Sequence, residues 1–206
     1  MKFLPALLCL TAFVHAEPVP LFDGKTFEGW EGDTVKTWRI ADGALVGGSL
    51  DATVPQNEFL STKKSFTNFE LRLKVKLVGT EGFVNGGIQL RSKRIATPPN
   101  EMSGYQADVG AGYWGCLYDE SRRNKMLATA DKEVIEKALK KDDWNEYVIR
   151  CEGPRIQLWL NGVKTVDFTE TEAGMEQGGQ IAVQIHGGAK AVAAYKEIVI
   201  EELRAR

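Results

Sequence analysis

Between Phe69 and Val78 the chain alternates without a break. Phe69, Leu71, Leu73, Val75 and Leu77 fall on one parity; Glu70, Arg72, Lys74 and Lys76 fall on the other. A period of two belongs to a β-strand, so this segment presents one apolar and one wet face, as in an antiparallel sheet. Such a face needs a second layer to cover it. Neighbouring segments supply more strands. Thr37–Ile40 and Ala44–Val46 flank an Ala41-Asp42-Gly43 turn whose Asp-Gly is a hairpin signal. Residues 145–151 and 155–160 flank Glu152-Gly153-Pro154, and Asn161-Gly162 leads into residues 163–168. Residues 181–185 and 197–203 read as closing strands. One stretch departs: residues 131–141 place Val134, Ile135, Ala138 and Leu139 at helical spacing behind an Asp131 cap, a short surface helix at one edge of the sandwich. Many short antiparallel strands with Gly-rich turns predict an all-β, two-sheet sandwich.

Residues 1–16 read as a secretory signal. Lys2 starts it, an apolar core follows, and Val14-His15-Ala16 forms a small-residue cleavage site. Residues 17–206 then form one domain, secreted or periplasmic, without a further apolar run able to span a membrane. The full chain has 26 basic and 28 acidic side chains, a net charge of −2, and loss of Lys2 makes it −3. That balance offers no basic face to nucleic acid. His186 is the one histidine after residue 16, which excludes a zinc site built on several imidazoles of one chain. Cys116 and Cys151 fit either a disulfide or two buried small side chains. Nucleophile-elbow, Walker and calcium-loop motifs are absent from the sequence.

Three strands carry polar residues other than Lys and Glu on their outward parity: Asn85–Arg91 with Gln89 and Arg91, Tyr105–Val109 with Gln106 and Asp108, and Ile181–His186 with Gln184 and His186. If the strands are neighbours, these six side chains make one solvent-facing surface suited to carbohydrate hydroxyls. Gly87 on that face would let a sugar ring approach the backbone. Trp114, in the Gly-rich segment 110–115, is read as a stacking platform or a core residue. Tyr118, Asp119 and Glu120 follow, and the two carboxylates either serve chemistry or pair with Arg122 and Arg123.

The ordered blocks LFDGKTFEGW, FELRLKVKL, NGGIQLRS, GYQADVG, GCLYDESRRNK, DDWNEYVIRCEG, IQLWLNGV, IAVQIHGG and YKEIVIEEL, spread over Pro20 to Leu203, resemble the 3-keto-disaccharide hydrolase domain family. The resemblance implies a concanavalin A-like jelly-roll sandwich, usually exported by bacteria, with a sugar groove on its concave sheet and activity on glycosides bearing a 3-keto group. Arg91 stands in the family's N-x-G-I-x-x-R block and His186 in its Q-x-H-G block. The chain departs from the family in the middle strand, with Gln106 where many relatives carry an acid and Asp108 where many carry Gln. On this reading His186 or Asp108 is the base, Arg91 stabilises an oxyanion, and Glu120 or Asp119 is the acid. Gln89, Gln106, Trp114, Tyr118, Asp119 and Gln184 bind substrate. No cofactor is evident, although a divalent metal at Asp108 and His186 fits the residue types. The competing expectation is a carbohydrate-binding module without catalysis.

Overall fold

The computed structural model describes residues 17–204, so the predicted export segment lies outside the described residues. In chain order the strands are β1 (Val19–Pro20), β2 (Trp30–Glu31), β3 (Trp38–Ala41), β4 (Ala44–Ser49), β5 (Glu58–Phe66), β6 (Phe69–Gly82), β7 (Asn85–Arg94), β8 (Met102–Gly110), β9 (Leu117–Glu120), β10 (Lys125–Ala128), β11 (Asn145–Glu152), β12 (Arg155–Leu160), β13 (Val163–Thr169), β14 (Gly179–Ile185) and β15 (Ala189–Glu202). The helix α1 (Lys132–Ala138) lies between β10 and β11. The back sheet runs β13-β12-β11-β6-β15-β4-β3, with β1 added on β15; the front sheet runs β10-β9-β8-β7-β14-β5-β2. This is the jelly-roll β-sandwich expected from the alternation.

β6 is the spine of the back sheet. The five apolar residues of its alternation are all buried, and it pairs with both β11 and β15. Two hairpins close as the sequence predicts. Ala41 pairs with Ala44 across Asp42-Gly43, and Leu160 with Val163 across Asn161-Gly162; all four turn residues have positive φ. That pair of left-handed residues matches the right-handed twist of the strands it joins. Helix α1 is capped as expected, with Asp131 accepting from the backbone N–H groups of Glu133 and Val134. It stops short of residue 141, because Leu139 is already extended, at ψ 132°. Ile135 and Leu139 lean on the core from the sandwich edge. Among the described residues no helix is long and apolar enough to cross a membrane.

Two of the longer strands escape the sequence pattern. β5 mixes polar and apolar residues without a clean period, and the first half of β15 (Ala189–Tyr195) is rich in alanine, which carries little strand preference. Packing makes that half of β15 a strand: Ala189, Ala191 and Ala193 are buried where the neighbouring backbone comes close. A Cβ added at Gly48 would strike the carbonyl of Ala191.

Two tyrosines cross from the back sheet to the front. Tyr195 donates to the Gln184 carbonyl (2.6 Å) and Tyr147 to the Asp108 carbonyl (2.7 Å). Each bond satisfies a buried carbonyl directly behind the face described next. Cys116 and Cys151 are both free and buried. Cys116 lies beside Tyr147, since Gly115 N–H donates to the Tyr147 hydroxyl. Cys151 is four residues further along β11 than Tyr147, and the two thiols form no disulfide.

Candidate functional site

Strand alternation in β14, β7, β8 and β9 sends Ile181, Val183, Ile185, Ile88, Leu90, Ala107 and Leu117 into the core. The intervening positions form rows on the outer face. One row is Gln184–Gly87–Asp108 and the next Ala182–Gln89–Gln106–Tyr118, with Glu120 opposite Gly104 beyond them. The structure therefore brings Gln89, Gln106, Asp108, Tyr118, Gln184 and Glu120 to one face. Three side chains are wired in series. The Ser92 hydroxyl donates to Gln89 Oε1 (2.7 Å), and Gln89 Nε2 donates to Gln106 Oε1 (2.9 Å). Gly87 serves this wiring and not a sugar ring: a Cβ there would lie 2.5 Å from Gln106 Oε1 and 2.7 Å from its Cγ.

The face is roofed where the sequence led us to expect an open surface. Past Ser92 the β7–β8 hairpin folds across β14 and β5. Arg94 donates to the carbonyls of Asn100, Phe59 and Glu31 and to the Ser61 hydroxyl; Asn100 donates to Glu58; and Met102 packs on Phe59 and Ala182. Gln89 and Gln184 are consequently fully buried, and Gln106 and Asp108 nearly so. Gln184 is left with neither amide atom hydrogen-bonded to protein, a cost of about 1–3 kcal/mol for each unmet group. Tyr118 and Glu120 stay half-buried at one end of the face, and His186, two residues past Gln184, at the other.

Three expected members lie elsewhere. Arg91 is displaced by a β-bulge: the β7–β8 register shifts between Leu90 and Lys93, and Arg91 sits at φ 48°. A bulge inserts one residue and reverses the parity that follows it. The guanidinium instead bolts the two sheets together, donating to the Thr67 carbonyl (2.8 Å) and the Gly153 carbonyl (2.7 Å). Asp119 has the parity of Leu117 and points away from the groove, with no exposure, held by Arg122 and Arg123. Arg123 continues that network to Glu170 (2.7 Å). Trp114 takes the core alternative, stacked on Tyr147 at 6.3 Å and 20°.

The electrostatics single out acids. Burial pushes Asp108 up to about 6, although Asn85 Nδ2 and the Val109 N–H both donate to its Oδ1. Burial, with Glu101, Asp108 and Asp119 nearby, pushes Glu120 up to about 7. Glu101 is raised by burial as well, and Asn57, Ser121 and His186 oppose the rise. Glu101 went unnoticed in the sequence because it precedes β8 in a Pro-rich turn, with no alternation to place it; only the folded-over hairpin carries it to the site. Asn57 links it to the His186 turn by accepting from the Gly187 N–H (3.0 Å). His186 Nδ1 lies 2.7 Å from the Gly187 carbonyl. A carbonyl only accepts, so Nδ1 carries the hydrogen, the tautomer that in a neutral ring leaves the lone pair on Nε2. Phe83 meets the imidazole edge-on at 4.8 Å and Tyr113 at 5.7 Å, an aromatic rim at His186. Among the described residues no group of three or more His, Cys, Asp and Glu side chains is placed to hold a metal.

Solved structures share the fold. A candidate glycosyl hydrolase of Parabacteroides distasonis superposes with a TM-score of 0.67 at 20% identity, covering 91% of this chain and 94% of that one. A carbohydrate-binding module of Bacillus subtilis gives 0.66 at 16%, covering 84% and 96%. The β-glucanase of Bacillus licheniformis gives 0.59 at 10%, covering 94% and 100%. No curated protein matches the sequence. The model of the 3-keto-alpha-glucoside-1,2-lyase-like domain matches residues 17–201, nearly the span over which the ordered sequence blocks run; the chain belongs to that family.

Proposed function

We propose that this protein acts on carbohydrates by acid/base elimination at a 3-keto-glycoside, with water addition completing a net hydrolysis. The observation that carries this reading is Glu101, which the folded-over hairpin brings near both His186, whose Nδ1 is engaged by the Gly187 carbonyl, and Glu120, a half-buried acid held near pKa 7. A 3-keto group acidifies the C–H at C2. His186 Nε2 takes that proton, the C–H electron pair becomes the C1=C2 bond, and the C1–O bond breaks. Glu120 gives its proton to the departing oxygen. The Tyr118 hydroxyl, kept protonated by burial and by Glu120, is the donor on this face for charge developing on the C3 oxygen. Water then adds across the double bond to give the free 3-keto sugar.

The test is product release from a 3-keto-disaccharide and from its unmodified parent, with and without chelator. Chelator sensitivity would assign a role to a divalent metal. Release from the 3-keto substrate, lost in His186→Ala and Glu120→Gln, supports the reading. Binding of both sugars without release would favour a binding module, the role named for the Bacillus subtilis neighbour. Export belongs to the same proposal: the mature chain begins at Glu17, which N-terminal sequencing of secreted or periplasmic protein checks.

A further inference from the structure

We infer that this protein carries a second ligand site, separate from the groove, for a small uncharged molecule with an apolar, ring-sized body. An apolar cavity of about 480 Å³ lies where α1 meets the β6–β7 and β8–β9 connections. Its walls include Leu77, Val84, Trp114, Cys116, Ile135 and Leu139. Drug-sized ligands occupy cavities of about 300–1,000 Å³, and an apolar cavity of about 150 Å³ already takes benzene. Ordered water needs polar partners, and these walls supply few. Burial raises the Cys116 thiol, so it too lines the space in its neutral form.

The rim decides the charge of the ligand. Lys132 faces Glu136 at 3.8 Å, and Lys141 is followed by Asp142, so the entrance has no net charge to attract an ion. Backbone at the rim is kept slim by Ala111 and Gly112, the latter at φ 82° with nothing within 4 Å of a would-be Cβ. The cavity is distinct from the acid groove yet shares a support with it. Trp114 stacks on Tyr147, and Tyr147 donates to the Asp108 carbonyl. This inference does not depend on the proposed reaction.

The test titrates the full chain with N-phenyl-1-naphthylamine, a neutral apolar fluorophore, and follows methanethiolation of Cys116 by mass spectrometry. Cys116 lines the cavity, whereas Cys151 is sealed in the core and serves as an internal control. The expected result is one saturable site per chain. Occupancy should slow modification of Cys116 by at least about tenfold and leave Cys151 unmodified throughout. Ala111→Trp, at an exposed rim position, and Ala130→Phe, which fills the interior, should each weaken probe binding by at least about tenfold, or 1.4 kcal/mol. Circular dichroism confirms that the variants fold. Should either fail to fold, protection of Cys116 in the unmodified chain decides the matter. Absence of saturable binding, binding unchanged in both folded variants, or Cys116 modified equally fast with and without probe would overturn the inference.

Discussion

At the level of single residues, the contrast between Glu120 and Arg91 is the most instructive. Both are ionisable and both lie on strands of the front sheet, but one is left uncompensated and the other is fully engaged. Glu120 has carboxylates for neighbours, and its proton is held to about pH 7. If it is the acid, kcat/KM should fall as pH rises through about 7, where the group loses the proton it must donate. Glu120→Gln should remove that limb and lower the rate by about 10²–10⁴-fold. A pH–rate profile with an unchanged alkaline limb in the variant would assign the acid elsewhere. Arg91 serves the fold. Arg91→Met leaves the Thr67 and Gly153 carbonyls without their donor, so we expect a stability loss of about 3 kcal/mol by urea denaturation. Turnover per folded molecule should be retained. A stable but inactive Arg91→Met would return this residue to the chemistry.

At the level of elements, the groove floor depends on β7 and β8 sharing space. Gly87 is needed because the Gln106 side chain lies across it, and Gln106 in turn accepts from Gln89. Gly87→Ala should therefore cost about 1–3 kcal/mol, the usual range for overpacking. Gln106→Ala in the same chain should return part of that loss, because it clears the space the methyl enters. A double-mutant cycle measures the coupling, and strictly additive losses would mean that backbone, not Gln106, rejects the methyl. The roof obeys the same logic: the hairpin tip is pinned through Arg94 to β5 and β2, which explains why outward-facing glutamines are buried.

For the whole molecule, the buried acids set a direction for stability against pH. Asp108 moves from 3.8 to about 6 and Glu120 from 4.5 to about 7 on folding. Raised acids bind more protons in the native state than in the unfolded chain across those windows, so stability falls as pH rises through them. Asp167 and Glu170 are shifted the other way by Arg155 and Arg123, but both are already ionised above pH 5. We expect a higher thermal midpoint at pH 5 than at pH 8. The double variant Asp108→Asn, Glu120→Gln should flatten that slope, and an equally steep slope in it would place the titrating groups elsewhere.

The strands with a clean period of two, the Asp42-Gly43 and Asn161-Gly162 hairpins, the Asp131-capped helix and the core face of β6 were legible in the residues alone. Each is dictated by interactions within a few positions: alternation, positive-φ turns, a side chain capping nearby N–H groups. Parity also brought Gln89, Gln106, Asp108 and Gln184 to one face, because no bulge separates them from the apolar residues that set their register. It failed for Arg91, where one inserted residue reversed the face; Asp119, with the parity of Leu117, instead meets Arg122 and Arg123, the partners the sequence also offered it. Trp114, Glu101 and the roof over the glutamines were decided by tertiary structure. Their positions follow from how the β7–β8 hairpin folds onto β5 and β14 and how Trp114 finds Tyr147. Those contacts join residues far apart in the chain, whose energies no local pattern records.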